Sequence, residues 1–256
     1  MKVSNIRLFV MIGMIVAASQ SAQATFHFMQ IQKVIGGVNG NTDAQAIQLR
    51  MRLVGQNFLN GAARLVAYDA TGSNPVIITS FPPPDPAGGS CREILIASDD
   101  FALETTPAAA RDYAMNNLIP PSYFAAGSLT FENSTGTIVY WRISWGGDSY
   151  TGPTMGDIAN DEDGEFGSPV LGQLPSTDLN ALEYISDCPP GTSASNDVDY
   201  ALTVGGADFT NNSGDNFDVT GASVPALSQW GLIAMTLLTL CVGTLVYRHR
   251  VNAAAA

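Results

Sequence analysis

The stretch best furnished for chemistry is Asp157-Ile158-Ala159-Asn160-Asp161-Glu162-Asp163-Gly164-Glu165. Hard oxygen donors at near-alternate positions beside a glycine are what a calcium-binding loop requires. They nominate Asn160, Asp161, Asp163 and Glu165 as candidate calcium ligands. The spacing departs from the twelve-residue loop template: placing Gly164 sixth puts Ala159 first and Val170 twelfth, so neither end supplies a ligand. A solvated acidic loop has the same composition. No other cofactor is expected.

Other constellations are sparse. Between residues 25 and 223 the only histidine is His27, which leaves a Ser/His/Asp or Cys/His arrangement without a well-placed base. There is no His-x-x-x-His, Cys-x-x-Cys, Gly-x-Ser-x-Gly or phosphate-binding loop, so zinc and nucleotide chemistry lack support. These readings point away from an enzyme. The alternative is a secreted hydrolase built on two of the many carboxylates, which would need to sit roughly 5 to 9 Å apart in a cleft.

Of three cysteines, Cys241 falls in an apolar C-terminal segment, leaving Cys91 and Cys188. In an oxidising compartment these two are most simply one disulfide, the alternative being two unpaired thiols. A closed loop of about 100 residues would contribute on the order of 4 kcal/mol in the chain-entropy account.

The ends indicate that compartment. Lys2 and Arg7 precede an apolar run from Leu8 to Ala18, and Ala22-Gln23-Ala24 is a small-x-small cleavage pattern, so residues 1–24 read as a signal peptide with Thr25 as the mature start. At the other end Trp230 to Tyr247 carries no charge and is followed by Arg248 and Arg250. That length is the lower edge of a membrane-spanning helix. The arginines behind it place the tail in the cytoplasm and the middle of the chain outside.

All 23 acidic residues lie in that middle, against seven basic ones, a net charge of −16. Such a surface repels nucleic acid phosphates, and no nucleic-acid partner is expected.

The elements that must position these groups are strands. Met29 and Ile31 alternate with Phe28, Gln30 and Gln32. Ile47, Leu49, Met51 and Leu53 alternate with Gln48, Arg50 and Arg52, which predicts a strand with one buried face. Further strands are expected over Arg64–Asp69, Val76–Phe81 and Glu93–Ser98, with an exposed proline loop from Pro82 to Gly89. Thr106-Pro107 before Ala108 to Asn116 predicts one short helix. Asn133-Ser134-Thr135-Gly136 marks a hairpin whose second arm aligns Val139, Trp141, Ile143 and Trp145. A carbohydrate platform and a buried sandwich core share that aromatic pattern. Residues 146–172 read as a long surface loop. Leu179–Ile185 reads as a helical turn or strand, Asp197–Val204 alternates, and Asp208–Thr220 closes the domain around Asn211-Asn212-Ser213-Gly214.

The expected fold is therefore all-β, an immunoglobulin-like β-sandwich with one short helix, flanked by an N-terminal signal helix and a C-terminal transmembrane helix. The expected units are a signal peptide (1–24), the sandwich (25–218), a linker with sorting motif (219–230), the membrane helix (231–247) and a basic cytoplasmic tail (248–256).

Two resemblances add to this. Val224, Pro225, Leu227, Ser228, Trp230 and Gly231, followed by an apolar helix and by Arg248 and Arg250, resemble the IPTL-CTERM class of sorting tails, relatives of PEP-CTERM. Val224, Ala226 and Gln229 depart mildly from the usual pattern. The resemblance implies an envelope protein of a Gram-negative bacterium, handled by the Sec translocon and signal peptidase. It would be held in the inner membrane and processed by an exosortase-type protease, then stay in the periplasm or reach the cell surface or extracellular matrix. Its activity there would be binding of an unidentified surface ligand, or structural. A permanently anchored protein without processing is the other reading of the same tail. Separately, Ile31-Gln32-Lys33-Val34-Ile35-Gly36-Gly37, Gln45-Ala46-Ile47-Gln48-Leu49, Asp69-Ala70-Thr71-Gly72 and Glu93–Ser98 look like the opening of lamin-tail-like immunoglobulin-fold domains, over residues 28–101. Lys33, Gln45 and Gln48 stand where that family carries acids.

Overall fold

The structure is a computed structural model, and it describes residues 25–188, 191–221 and 236–239. The expected signal peptide, the expected sorting motif and, apart from 236–239, the expected membrane helix lie outside the described residues. Among the described residues no helix is long and apolar enough to cross a membrane.

The chain is mostly β-structure, as expected. Strands β1 (Met29–Ile35), β2 (Ala46–Met51), β5 (Glu93–Ala97), β7 (Tyr113–Ala114), β10 (Leu182–Tyr184) and β11 (Tyr200–Leu202) form a six-stranded sheet in the order β11-β10-β1-β2-β5-β7. All its pairings are antiparallel except β5 with β7. Strands β3 (Ala63–Asp69), β4 (Val76–Thr79), β8 (Gly127–Asn133) and β9 (Val139–Trp145) form a second sheet, β4-β3-β8-β9. A third, small sheet joins β12 (Asp208–Thr210), β13 (Asn216–Val219) and β6 (Thr105–Thr106).

The first two sheets form the sandwich. Ile31, Ile47, Leu49, Ile94 and Ile96 on one side share a core with Leu65, Leu129, Phe131, Trp141, Ile143 and Trp145 on the other. Alternation accounts for this, because every second residue of β2, β5, β8 and β9 points inward. On β1 the phase changes: a bulge between Ile31 and Lys33 brings Val34 to the same core three residues after Ile31.

The opposite face of the six-stranded sheet is also covered. Ile35, Ala46, Leu95 and Ala97 meet Phe101, Phe209, Phe217 and Val219 in a second core, with the Phe101 and Phe209 rings edge-on at 5.1 Å. Every residue of β1 and β2 is buried, which corrects the expectation of a half-exposed β2. The cause is the small sheet, whose strand β12 lies over the polar side chains: Gln48 Oε1 accepts the Thr210 N–H at 2.6 Å, and Lys33 Nζ reaches Asp208 Oδ1 at 2.8 Å and Glu183 Oε1 at 3.2 Å. Leu53 lies beyond the end of β2 and is exposed.

The helix expected over residues 108–116 is not formed. Thr105–Thr106 pairs with β13, and Tyr113–Ala114 pairs with Ile96–Ala97. Between them Thr105 Oγ1 accepts the Ala109 N–H, and Asp112 Oδ2 accepts the N–H groups of Leu95 and Asn212. Strand pairing and a half-buried carboxylate override a local helix signal of one proline and a few alanines. A one-turn α-helix lies instead at Asn196–Asp199. It interrupts the alternation read over Asp197–Val204, so Tyr200 is core while Val198, Leu202 and Val204 are exposed.

The loop 146–172 carries no named strand, yet it is packed. Tyr150 and Phe166 are buried, and Gly146 and Gly147 N–H groups donate to Val170 O. It covers polar groups on the outer face of the four-stranded sheet: Tyr150 Oη donates to Ser128 Oγ, and Arg142 Nε donates to Met155 O. The fully buried Glu132 on that face pairs with Arg64 at 3.3 Å and accepts Tyr68 Oη and Thr130 Oγ1.

Candidate functional site

The acidic loop is folded by its own side chains. Asn160 is fully buried; its Nδ2 donates to His27 O at 2.6 Å and Tyr140 O at 2.8 Å, and its Oδ1 accepts Arg52 Nη1 at 2.6 Å. Its two Nδ2 hydrogens tie the loop to β9 and to the start of the chain, and its Oδ1 is engaged by Arg52. Asp161 Oδ1 accepts three backbone N–H groups, from Asp163, Gly164 and Glu165, at 3.1, 2.9 and 2.9 Å. Asp163 Oδ1 accepts the Glu165 N–H at 2.9 Å. Glu165 is exposed. Gly164 sits at φ +87°, and a Cβ there would meet only Gly156 O at an ordinary 3.7 Å, so its role is the left-handed turn. Burial pushes the Asp161 carboxyl above its ordinary value, while the Glu165 N–H holds that of Asp163 below. Among the described residues no three His, Cys, Asp or Glu side chains gather as a metal set.

Two surface clefts hold the other concentrations of polar groups. One of about 240 Å³ is lined by Pro82, Pro84, Asp85, Asp112, Tyr113 and Asn212, among others. Its polar groups are turned to structural use: Tyr113 Oη donates to Pro84 O, Asp85 Oδ1 accepts the N–H groups of Leu59 and Asn60, and Asp112 binds two N–H groups as above. Burial first, then Asp85 and Asp112, pushes the Tyr113 hydroxyl up to about 12. A second cleft of about 290 Å³ includes Asp43, Asp99, Asp100 and Arg111. There Arg111 pairs with Asp99 at 2.5 Å and donates to Ala97 O.

The tryptophan stripe is core. Trp141 and Trp145 are fully buried; the Trp141 indole donates to Tyr200 Oη at 2.7 Å and that of Trp145 to Tyr123 O at 2.8 Å. Tyr200 in turn donates to Ile31 O. A buried indole finds its partner this way, and neither ring is available as a sugar platform. His27 stacks on Tyr140 at 4.7 Å between ring centroids.

Cys91 and Cys188 are joined as a disulfide with Cα atoms 5.8 Å apart across 97 residues. What sequence reading missed is the buried polar layer. Asn212, read as a turn residue, donates from Nδ2 to Ala87 O and Glu93 O and accepts the Ala87 N–H. The unusual density of Asn and Gln in otherwise apolar strands was the available signal.

The described fold closes at Gly221, whose N–H, with that of Thr220, donates to Glu104 O. The tail begins directly after it. This is a β-domain carrying a C-terminal sorting signal. Residues 222–245 match the family model described as the IPTL-CTERM motif, the class that the tail was expected to resemble, and the match marks the chain as an exported surface protein with that signal. The sorting residues Val224, Pro225, Leu227, Ser228, Trp230 and Gly231 fall inside the match, and Arg248 and Arg250 follow it. No curated protein and no solved structure matches the chain, so the lamin-tail resemblance gains no solved relative.

Proposed function

We propose that this chain enters the Sec translocon and loses residues 1–24 to signal peptidase. It is then held in the inner membrane by residues 231–247 and released by an exosortase-type protease to act at the cell surface or in the extracellular matrix. The released domain binds a surface ligand or serves structurally, without catalysing a reaction. The observation that carries this reading is the sorting-tail match at residues 222–245. Thr25, the mature start on this reading, is held in the fold: its N–H donates to Gly55 O at 2.7 Å and its Oγ1 to Gln56 Oε1 at 2.8 Å. The non-catalytic role is supported by the cleft carboxylates Asp85, Asp99 and Asp112, each engaged by backbone N–H groups or by Arg111. Intact-mass measurement of the protein from cells with and without the protease tests the processing. Mature chains beginning at Thr25 and ending upstream of Trp230 are expected, and chains that all retain Arg250 would refute it. Hydrolysis of any polysaccharide or peptide in a substrate panel would overturn the non-catalytic role, whereas a hit in a glycan and protein binding array supports it.

A further inference from the structure

We infer that Asp161 and Asp163 form a weak divalent-cation site, of the calcium class, that fastens the acidic loop. Asp161 is 1% exposed. Its Oδ1 is saturated by three backbone N–H groups, but its Oδ2 is buried with no hydrogen-bond partner. The Asp163 carboxylate converges on the same turn: Asp161 Oδ1 and Asp163 Oδ1 both accept the Glu165 N–H, each at 2.9 Å. A buried, unpartnered carboxylate oxygen beside a second carboxylate is the arrangement that a hard cation relieves.

Arg52 Nη1 donates to Asn160 Oδ1 and Ala159 O, and Asp161 Oδ2 has no hydrogen-bond partner. An all-oxygen donor set selects calcium over softer metals. With two carboxylates, the remaining ligands are backbone carbonyls and water, so the dissociation constant falls in the roughly 10⁻⁴ to 10⁻³ M class of extracellular modules. This set differs from the one nominated by composition, because Asn160 is consumed structurally. The site sits where the loop crosses the molecule: Gly156 N–H donates to Gly164 O, Asp157 N–H to Val139 O on β9, and Glu162 N–H to Ser193 O. A bound cation would clamp these three crossings together.

The test is calorimetry and thermal melting of the full-length chain in detergent, with calcium chloride, a magnesium chloride control, and the Asp161→Asn variant. That substitution keeps an oxygen for the three N–H groups and puts an amide in place of the unpartnered Oδ2. Saturable heat and a rise of about 2–4 °C at 10 mM calcium are expected for the wild type. The variant is expected to show neither and to melt higher than the calcium-free wild type. No heat or shift in the wild type overturns the site. So does an equal response in the variant or with magnesium, which marks unspecific screening of the acidic surface. Calcium-independent stabilisation of the wild type on lowering the pH to 5, without a calcium response at pH 7, overturns it in favour of a shared proton.

Discussion

Asn212 shows how much one buried amide can hold. It links the proline loop to β5 through Ala87 and Glu93, while its backbone N–H meets Asp112 and its carbonyl accepts Arg92 Nη1. Asn212→Ala strands three backbone groups in a partly buried setting and should cost about 1 kcal/mol in urea unfolding, above a typical surface substitution. Lys33 offers a second case, with a pH signature. Burial pushes the Asp208 carboxyl up, but the hydrogen bond and charge of Lys33 outweigh it and hold the group below the ordinary carboxylate value. A depressed carboxylate contributes stability that is present above its unfolded value, about 3.9, and is lost as pH falls through the folded one. Lys33→Met removes that contribution, so melting temperatures between pH 2 and 5 should fall less steeply on acidification than in the wild type. Neither role was legible in the sequence. Gln48, Arg50 and Lys33 look like the wet side of strands because the partners that cover Gln48 and Lys33, Thr210 and Asp208, lie more than 160 residues away. Local alternation reports that a face is polar, not whether it is buried.

At the scale of elements, legibility followed how local the decisive contacts are. The β8–β9 hairpin was readable because its turn, its register and its apolar stripe all lie within residues 127–145. The segment 107–116 was not, because its conformation is set by pairing with β5 and β13. The end of β9 depends on Gly146, which adopts φ +101° and would place a Cβ 2.5 Å from that of Ala126 and 2.7 Å from Ala125 O. Gly146→Ala combines left-handed backbone strain with overpacking against main chain. A loss of about 2–4 kcal/mol is expected, read as a lower urea midpoint with unchanged slope. The disulfide acts on a longer scale. Cys91 lies just before β5 and Cys188 just after β10, so the bond ties the end of the proline loop to the far half of the sheet. Replacing both by serine removes a 97-residue closure and should destabilise the domain by about 2–4 kcal/mol, the size of effect typical for one bridge. Reducing agent should lower the wild-type melting temperature and leave that of the double variant unchanged.

For the molecule as a whole, the boundary between cargo and address is sharper than composition indicated. The domain was expected to end at 218, but Val219 still pairs with Thr105, and the N–H groups of Thr220 and Gly221 both close onto Glu104 O. Phe217 and Val219 fill the second core beside Phe101 and Phe209. The matched tail starts at residue 222. Two truncations separate these roles. A chain of residues 25–221 keeps every strand and both cores, and should unfold in one transition with the same midpoint as the tailed protein. A chain ending at Asp215 loses β13 and uncovers Phe101, Phe209 and the Gln48–Lys33 face. It should lose several kcal/mol of stability and bind a hydrophobic dye.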